Sequence, residues 1–172
     1  LTEGEVNAVI EFLFLRDVPE SAKRPANEGG VPRFTHNGYP RLSDDEGYPG
    51  CKPPYGTLNC IDLASGKLVW QVPLGVYPDL AFWGDGDTGA ENFGGPSITA
   101  SGIVFCSGAA DLKIRAFDAG NGAVLWEGDL PFDGYAPPTI YEAGGKEYVV
   151  IAASGGGKLG AQTGDAYVAF SL

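Results

Sequence analysis

A short run at Asn92-Phe93-Gly94 combines three groups that suit contact with a bound ligand. The Asn92 amide both donates and accepts hydrogen bonds, the Phe93 ring offers an aromatic edge, and Gly94 lacks a side chain that would hold its backbone away from a ligand. Binding pockets typically combine aromatic walls with a few polar groups of this kind. These residue types make Asn92 and Phe93 candidates for contact with a ligand. The alternative is that Gly94, Gly95 and Pro96 simply begin a strand.

A glycine-rich segment, Ala153 to Lys158, is the second candidate. It has neither the Gly-Lys-Ser/Thr order of a phosphate-binding loop nor a helical pattern after it, which excludes phosphate binding of that type. Lys158 would place a cation at the mouth of a site. The alternative for Lys158 is an ordinary solvated lysine in a loop.

Metal sites are not predicted within this chain. Residues Asp85 to Gly89 begin like a calcium loop, but the third acidic ligand and the terminal glutamate are missing at the required spacing. The three cysteines form no Cys-x-x-Cys pair, and with one histidine, His36, and no methionine the chain has no zinc, iron–sulfur or His/Met haem pattern.

Charge excludes one class of partner. The 172 residues include 22 acidic and 11 basic side chains, a formal charge of −11, so phosphate backbones would repel the chain and we expect no nucleic-acid partner. No apolar run approaches the roughly 20 residues that span a bilayer. The first residues lack the basic stretch and initiator methionine of a signal peptide, so we expect a soluble chain that continues a longer protein.

Three regions are predicted along the chain. Thr2 and Glu5 form a capping box, and apolar residues at helical spacing follow, which predicts an amphipathic helix over residues 3–15 within a first region of residues 1–16. Residues 17–54 are punctuated by proline and glycine without any period and are predicted to be an irregular linker. Residues 55–172 are predicted to be strands, consistent with 27 glycines and 13 prolines in the whole chain.

The strand region contains an internal repeat. Residues 57–63 and 67–72 predict a hairpin, and its pattern, small-x-Asp-x-x-x-Gly-x-x-x-Trp, starts at Cys60 and again at Ala116. We expect the aspartate to accept hydrogen bonds from turn amides, the glycine to supply the positive φ, and the tryptophan to act as an apolar wedge. The region predicts about two to three four-stranded sheets, whereas a closed propeller has about four to eight.

These strings resemble the quinoprotein dehydrogenases, which are eight-bladed β-propellers that hold pyrroloquinoline quinone (PQQ). The repeat resembles their tryptophan-docking motif. Over residues 47–172, further strings resemble the C-terminal part of the membrane-type glucose dehydrogenases and follow the same order: Gly47-Tyr48-Pro49, Cys51 to Gly56, Asn92 to Pro96, Ile114 to Asp118, Tyr148 to Ala153 and Gly164 to Phe170. The fold class is therefore predicted as all-β: the C-terminal blades of an eight-bladed propeller, preceded by one short α-helix and a long irregular linker.

The resemblance implies a function for the complete protein. It implies oxidation of a sugar or alcohol with PQQ as electron acceptor and Ca²⁺ as activator, the Ca²⁺ ligands and catalytic residue lying outside this segment. It places Asn92, Phe93 and Gly94 beside the quinone, and Gly156 and Lys158 near the substrate. Glucose-type relatives tend to have a histidine near the position of Gly156, so glucose itself is in doubt. The segment alone is expected to be inactive.

Partners and location also follow from the resemblance. Residues 1–13 resemble the last helix of a cytochrome c domain, which implies haem c on a fused domain absent from this chain. The implied partners are the rest of the propeller, the substrate and an electron acceptor, either a quinone or a cytochrome, and the implied location is the periplasm or its membrane face. The alternative is a non-enzymatic propeller scaffold that shares the repeat and binds no cofactor.

Overall fold

The computed structural model of the protein describes residues 41–82 and 88–171. The chain divides into two compact units, Leu1–Pro40 and Arg41–Leu172, and all described residues belong to the second. The predicted helix over residues 3–15, the predicted linker up to residue 40 and the calcium-like Asp85 and Asp87 lie outside the described residues. No helix in the described part is long and apolar enough to cross a membrane.

Within residues 41–82 and 88–171, nine strands form three antiparallel sheets in chain order. Sheet 1 is the hairpin of β1 (Thr57–Asp62) and β2 (Lys67–Pro73). A short helix, α1 (Pro78–Phe82), follows it. Sheet 2 contains β3 (Ser97–Ile98), β4 (Ile103–Cys106), β5 (Lys113–Asp118) and β6 (Val124–Asp129). Sheet 3 contains β7 (Thr139–Ala143), β8 (Lys146–Ala153) and β9 (Ala166–Ser171).

The strand counts differ from the predicted four per sheet. Among the described residues, only sheet 2 has four strands, whereas sheet 1 has two and sheet 3 has three. Residues 41–56, ahead of β1, form turns and one isolated bridge between Ser43 and Pro49 rather than strands, because proline and glycine interrupt them. Sheet 2 is therefore the one complete repeat unit in the described part of the chain.

Sheet 2 is covered on both faces, which explains its continuous apolar strands. Val104, Cys106 and Phe117 pack with Leu58 and Leu74 on the side of sheet 1. The alternate positions Phe105, Ile114 and Ala116 pack with Val149, Ile151 and Ala153 of sheet 3. Successive side chains in a strand point to opposite faces, so β4 and β5 supply both cores at once.

Both copies of the repeat form the predicted hairpin. Asp62 Oδ1 accepts a hydrogen bond from the Ala64 amide at 2.9 Å, and Asp118 Oδ1 accepts one from the Gly120 amide at 2.7 Å. The repeat glycines, Gly66 and Gly122, have φ angles of 68° and 76°. These roles of the aspartate and the glycine are confirmed.

The small residue and the tryptophan of each copy face one another across the hairpin. Cys60 pairs with Trp70, and Ala116 pairs with Trp126. The Trp70 indole reaches sheet 2, where Nε1 donates to the Ala119 carbonyl oxygen at 2.9 Å. Trp126 contacts sheet 3 through an edge-to-face pair with Phe170, with ring centroids 5.0 Å apart. Each tryptophan thus ties its sheet to the next one along the chain.

Candidate functional site

An open groove lies where β1 begins and where the segment ahead of sheet 2 passes it. The groove has a volume of about 490 Å³ and is lined by Pro54, Tyr55, Gly56, Thr57, Glu91, Asn92, Phe93 and Leu159. Two of the predicted cofactor-binding residues, Asn92 and Phe93, therefore share one surface. Leu159 directly follows the glycine-rich segment, so the end of that segment lies next to the Asn92 run.

Close backbone packing holds Asn92 at this position. A Cβ added to Gly56 would lie 1.9 Å from the Ala90 carbonyl oxygen and 2.8 Å from Asn92 Nδ2. Only a glycine at residue 56 leaves room for both groups. The backbone of Asn92 forms an isolated antiparallel bridge with Ala109, just beyond β4. The Asn92 backbone therefore lies beside the end of β4, with its side-chain amide nitrogen next to Gly56.

Phe93 and Gly94 follow on the same path. The Phe93 amide donates to the Gly108 carbonyl oxygen at 3.1 Å, and 56% of the Phe93 residue surface is exposed. A Cβ on Gly94 would lie 2.8 Å from the Gly108 Cα, so two glycines let the two backbones touch. Gly94 thus packs against Gly108 and is not among the lining residues of the groove, whereas Phe93 lines it.

Glu91 brings a charge to the groove, but a cation accompanies it. The Arg41 guanidinium forms an ion pair with the Glu91 carboxylate, and the Tyr77 hydroxyl donates to Glu91 Oε2 at 3.4 Å. Burial raises the pKa of Tyr77, which keeps this phenol protonated as a donor. The Tyr77 ring also meets Tyr48 and Tyr55 edge-to-face, at centroid distances of 5.3 and 5.6 Å.

The glycine-rich segment approaches the groove at its C-terminal end. Gly155, Gly156 and Gly157 all have positive φ, and residues Gly157–Leu159 form a single 3-10 turn. Gly156 is buried, and a Cβ there would lie 3.0 Å from Thr163 Oγ1. The backbone of Lys158 belongs to the 3-10 turn, and Leu159, one residue later, lines the groove. The substrate-proximal roles of Gly156 and Lys158 stay predictions.

Sequence reasoning missed several groove residues. Thr57, Glu91 and Leu159 line the groove without belonging to a recognisable motif. Tyr55 lies in the string Cys51 to Gly56. The glycine at position 56 is the sequence signal for this packing, because only a glycine fits against Ala90 there. In the described ranges, no group of three or more His, Cys, Asp or Glu side chains could hold a metal ion.

Residues 16–149 match the family model of the glucose/ethanol/alcohol dehydrogenase β-propeller domain, which is named for PQQ. The chain belongs to this family. It is 36% identical to the quinoprotein glucose dehydrogenase of Escherichia coli (strain K12), over 90% of this chain and 20% of that protein. It is 34% identical to the quinate/shikimate dehydrogenase (quinone) of Acinetobacter baylyi, over 92% of this chain and 22% of that protein. The chain spans about a fifth of the length of these curated relatives.

The fold comparison points the same way. A europium-containing methanol dehydrogenase superposes with a TM-score of 0.51 at 27% identity, covering 66% of this chain and 17% of that structure. Together with the family match, this confirms the predicted fold class: the sheets are blades of a quinoprotein β-propeller. The resemblance to quinoprotein dehydrogenases drawn from the sequence is confirmed as well.

Proposed function

We propose that this chain is part of a quinoprotein dehydrogenase that oxidises a sugar or an alcohol with PQQ as electron acceptor. The observation that carries the proposal is the groove in which Asn92, Phe93 and the end of the glycine-rich segment meet, within a chain that belongs to the PQQ family. In this proposal the segment supplies blades and part of the active-site roof. The catalytic residue and the Ca²⁺ ligands come from the rest of the propeller.

The groove residues suit one edge of PQQ, a flat, anionic, aromatic quinone. The Asn92 amide offers hydrogen-bond donors, and Phe93 offers an aromatic edge; both line the groove. The Arg41 pair with Glu91 offsets the one carboxylate at the groove, which lowers its repulsion of an anionic ligand. Gly56 lets the Ala90 carbonyl oxygen and the Asn92 amide approach the start of β1, which keeps Asn92 at the groove. Asn92, Phe93 and Gly94 would thus hold and orient the cofactor.

PQQ bound at the groove would supply an acceptor for two electrons from the substrate, and Ca²⁺ held by the rest of the propeller would supply Lewis acidity. This chain's part is to bind and orient. The 3-10 turn at Gly157–Leu159 would cover the end of the groove and limit water there. Gly156 and Lys158, in the same loop, would lie near the substrate.

The substrate is proposed only as a class. The relatives include enzymes named for glucose and for quinate or shikimate. The family resemblance implies a histidine near the position of Gly156 in glucose-type enzymes, and this chain has glycine there, so we propose a sugar or alcohol as the class without specifying glucose. We further propose a quinone or a cytochrome as the electron acceptor, a haem c domain fused to the propeller, and a periplasmic location; all three rest on the family resemblance.

Reconstitution of the full-length protein tests the proposal. The purified apoprotein is incubated with PQQ and Ca²⁺, and dye-linked oxidation of a panel of sugars and alcohols is followed. We expect dye reduction that requires PQQ, and none from residues 1–172 alone. Binding of PQQ without turnover of any substrate would contradict the dehydrogenase. The absence of both binding and turnover would favour the non-enzymatic scaffold.

A further inference from the structure

Asp133, between sheets 2 and 3, is a buried carboxylate whose two oxygens both accept hydrogen bonds. Only 6% of its surface is exposed. Oδ1 accepts from the Leu112 amide at 3.0 Å, and Oδ2 accepts from the Tyr135 hydroxyl at 3.1 Å. A buried carboxylate is costly unless such bonds compensate it. The carboxylate therefore fixes both groups that donate to it.

Leu112, the first of these groups, has an unusual backbone. Its φ of 58° is the one positive φ recorded for a non-glycine residue in the described chain. Leucine is unfavourable in this conformation, so an observed case suggests that a neighbour imposes it. The bond to Asp133 Oδ1 is such a constraint, and the Leu112 carbonyl in turn accepts from the Leu130 amide at 2.7 Å.

Tyr135, the second group, reaches the groove wall. Its ring meets Phe93 edge-to-face, with centroids 6.4 Å apart and an interplanar angle of 88°. Burial and the adjacent Asp133 carboxylate raise the pKa of Tyr135, so its hydroxyl stays protonated and donates at any pH near neutrality. The Asp133 bond thereby fixes the ring that supports Phe93.

The main chain of Asp133 makes a third connection. Its carbonyl oxygen accepts from the Gly155 amide at 2.9 Å, at the start of the glycine-rich loop. That loop runs on to Leu159, which lines the groove together with Phe93. One residue thus holds the supports of two groove walls, Phe93 and the Gly155–Leu159 loop.

We propose that Asp133 and Tyr135 are positioning residues that set the Phe93 ring and the glycine-rich loop, and thereby set the affinity of the groove for its flat aromatic ligand. Neither residue lines the groove, so they act through their neighbours. The identity of that ligand as PQQ rests on the proposed function. The positioning itself can be measured in the apoprotein.

Amide hydrogen exchange in the full-length apoprotein tests the positioning. Asp133→Ala removes both acceptor oxygens, Oδ1 for the Leu112 amide and Oδ2 for the Tyr135 hydroxyl. We expect at least about a fivefold rise in exchange at Leu112 and across residues 154–160. Tyr141→Leu, which alters an exposed tyrosine of β7 stacked on Tyr148, is the control and should leave these amides unchanged. Unchanged exchange in folded Asp133→Ala would overturn the proposal.

PQQ titration of the same apoproteins tests the effect on the ligand. Tyr135→Leu removes the ring beside Phe93 and should raise the Kd for PQQ about fivefold to tenfold, with kcat at saturating PQQ nearly unchanged. Tyr135→Phe, which keeps the ring and loses only the hydroxyl, should restore most of the affinity. A Kd within twofold of the wild type in Tyr135→Leu would overturn the affinity claim. If the wild type binds no PQQ, the proposed function fails while the exchange result still decides the positioning.

Discussion

The two copies of the repeat share one pattern but lie in different surroundings. In β1 and β2 most side chains are exposed, whereas β5 has four consecutive buried residues between two sheets. At matching positions, copy one pairs Asn59 with Gln71 and copy two pairs Arg115 with Glu127, in both cases with a donor–acceptor distance of 2.6 Å. The pattern sets the hairpin, and the neighbouring sheets decide how much each contact contributes to stability.

The largest expected difference in the stability cost of a substitution lies at this cross-strand pair. The Arg115 guanidinium also binds Asp111, whose side chain is only 1% exposed. Arg115→Ala leaves that carboxylate buried without its cation and should cost about 3–5 kcal/mol. The matched change Asn59→Ala, on an exposed pair, should fall within about 0.5 kcal/mol. Denaturant unfolding of the full-length protein measures both; equal costs would contradict the comparison.

The next largest difference in stability cost is expected between the two repeat glycines, Gly66 and Gly122. A Cβ at Gly66 would meet nothing within 4 Å, whereas one at Gly122 would lie 2.8 Å from Trp70 Cε3 and 3.0 Å from Val72 Cγ1. Gly66→Ala should cost about 1 kcal/mol, from the positive φ alone. Gly122→Ala should cost about 1–3 kcal/mol more, because the added methyl displaces the indole.

The same unfolding measurement decides between these glycines. Near-ultraviolet circular dichroism of the tryptophans should change in Gly122→Ala and not in Gly66→Ala. If the two variants lose the same stability, the Trp70 contact with sheet 2 does not constrain the Gly122 turn.

The smallest expected effect concerns the turn between β1 and β2. The Asp62 carboxylate accepts hydrogen bonds from the Ser65 hydroxyl and the Ala64 amide. Both bonds lower the pKa of Asp62, and the Ser65 bond has the larger effect. A lowered carboxyl pKa adds stability above the unfolded-state pKa, and this stability is lost as the pH falls through the folded-state pKa. Ser65→Ala should therefore raise the pKa of Asp62 toward its ordinary value.

An NMR pH titration of the Asp62 carboxyl carbon follows this change. Ser101→Ala, in the exposed turn between β3 and β4, serves as the control and should leave Asp62 unchanged. If Ser65→Ala leaves the Asp62 titration where it was, the hydroxyl bond does not set the pKa. Copy two has Asn121 at the position equivalent to Ser65, so this effect belongs to copy one alone.

The local features of the hairpins could be predicted because they depend on residues a few positions apart. Neighbours within the hairpin set the Asp62 turn and the φ of Gly66. They also set the cross-strand pairing of Cys60 with Trp70. The number of strands in sheets 1 and 3 was not predictable in this way. It depends on which segments add to each sheet edge.

The groove was predictable only in part. Family resemblance singled out Asn92 and Phe93, which do line it. The role of Asp133 had no sequence signal, because its contacts join Leu112, Tyr135 and Gly155, each on a different segment. Contacts between distant segments carry no local pattern, so only the fold reveals them.

The most direct test of the central claim is the Kd for PQQ of the full-length apoprotein and its Asn92→Ala variant, with Asn59→Ala as the control outside the groove. If the groove holds one edge of the cofactor, loss of the Asn92 amide should raise the Kd roughly threefold to tenfold, equivalent to one hydrogen bond of about 1 kcal/mol. Asn59→Ala should bind like the wild type. Equal Kd values for Asn92→Ala and the wild type, or no binding of PQQ by the wild type, would contradict the account.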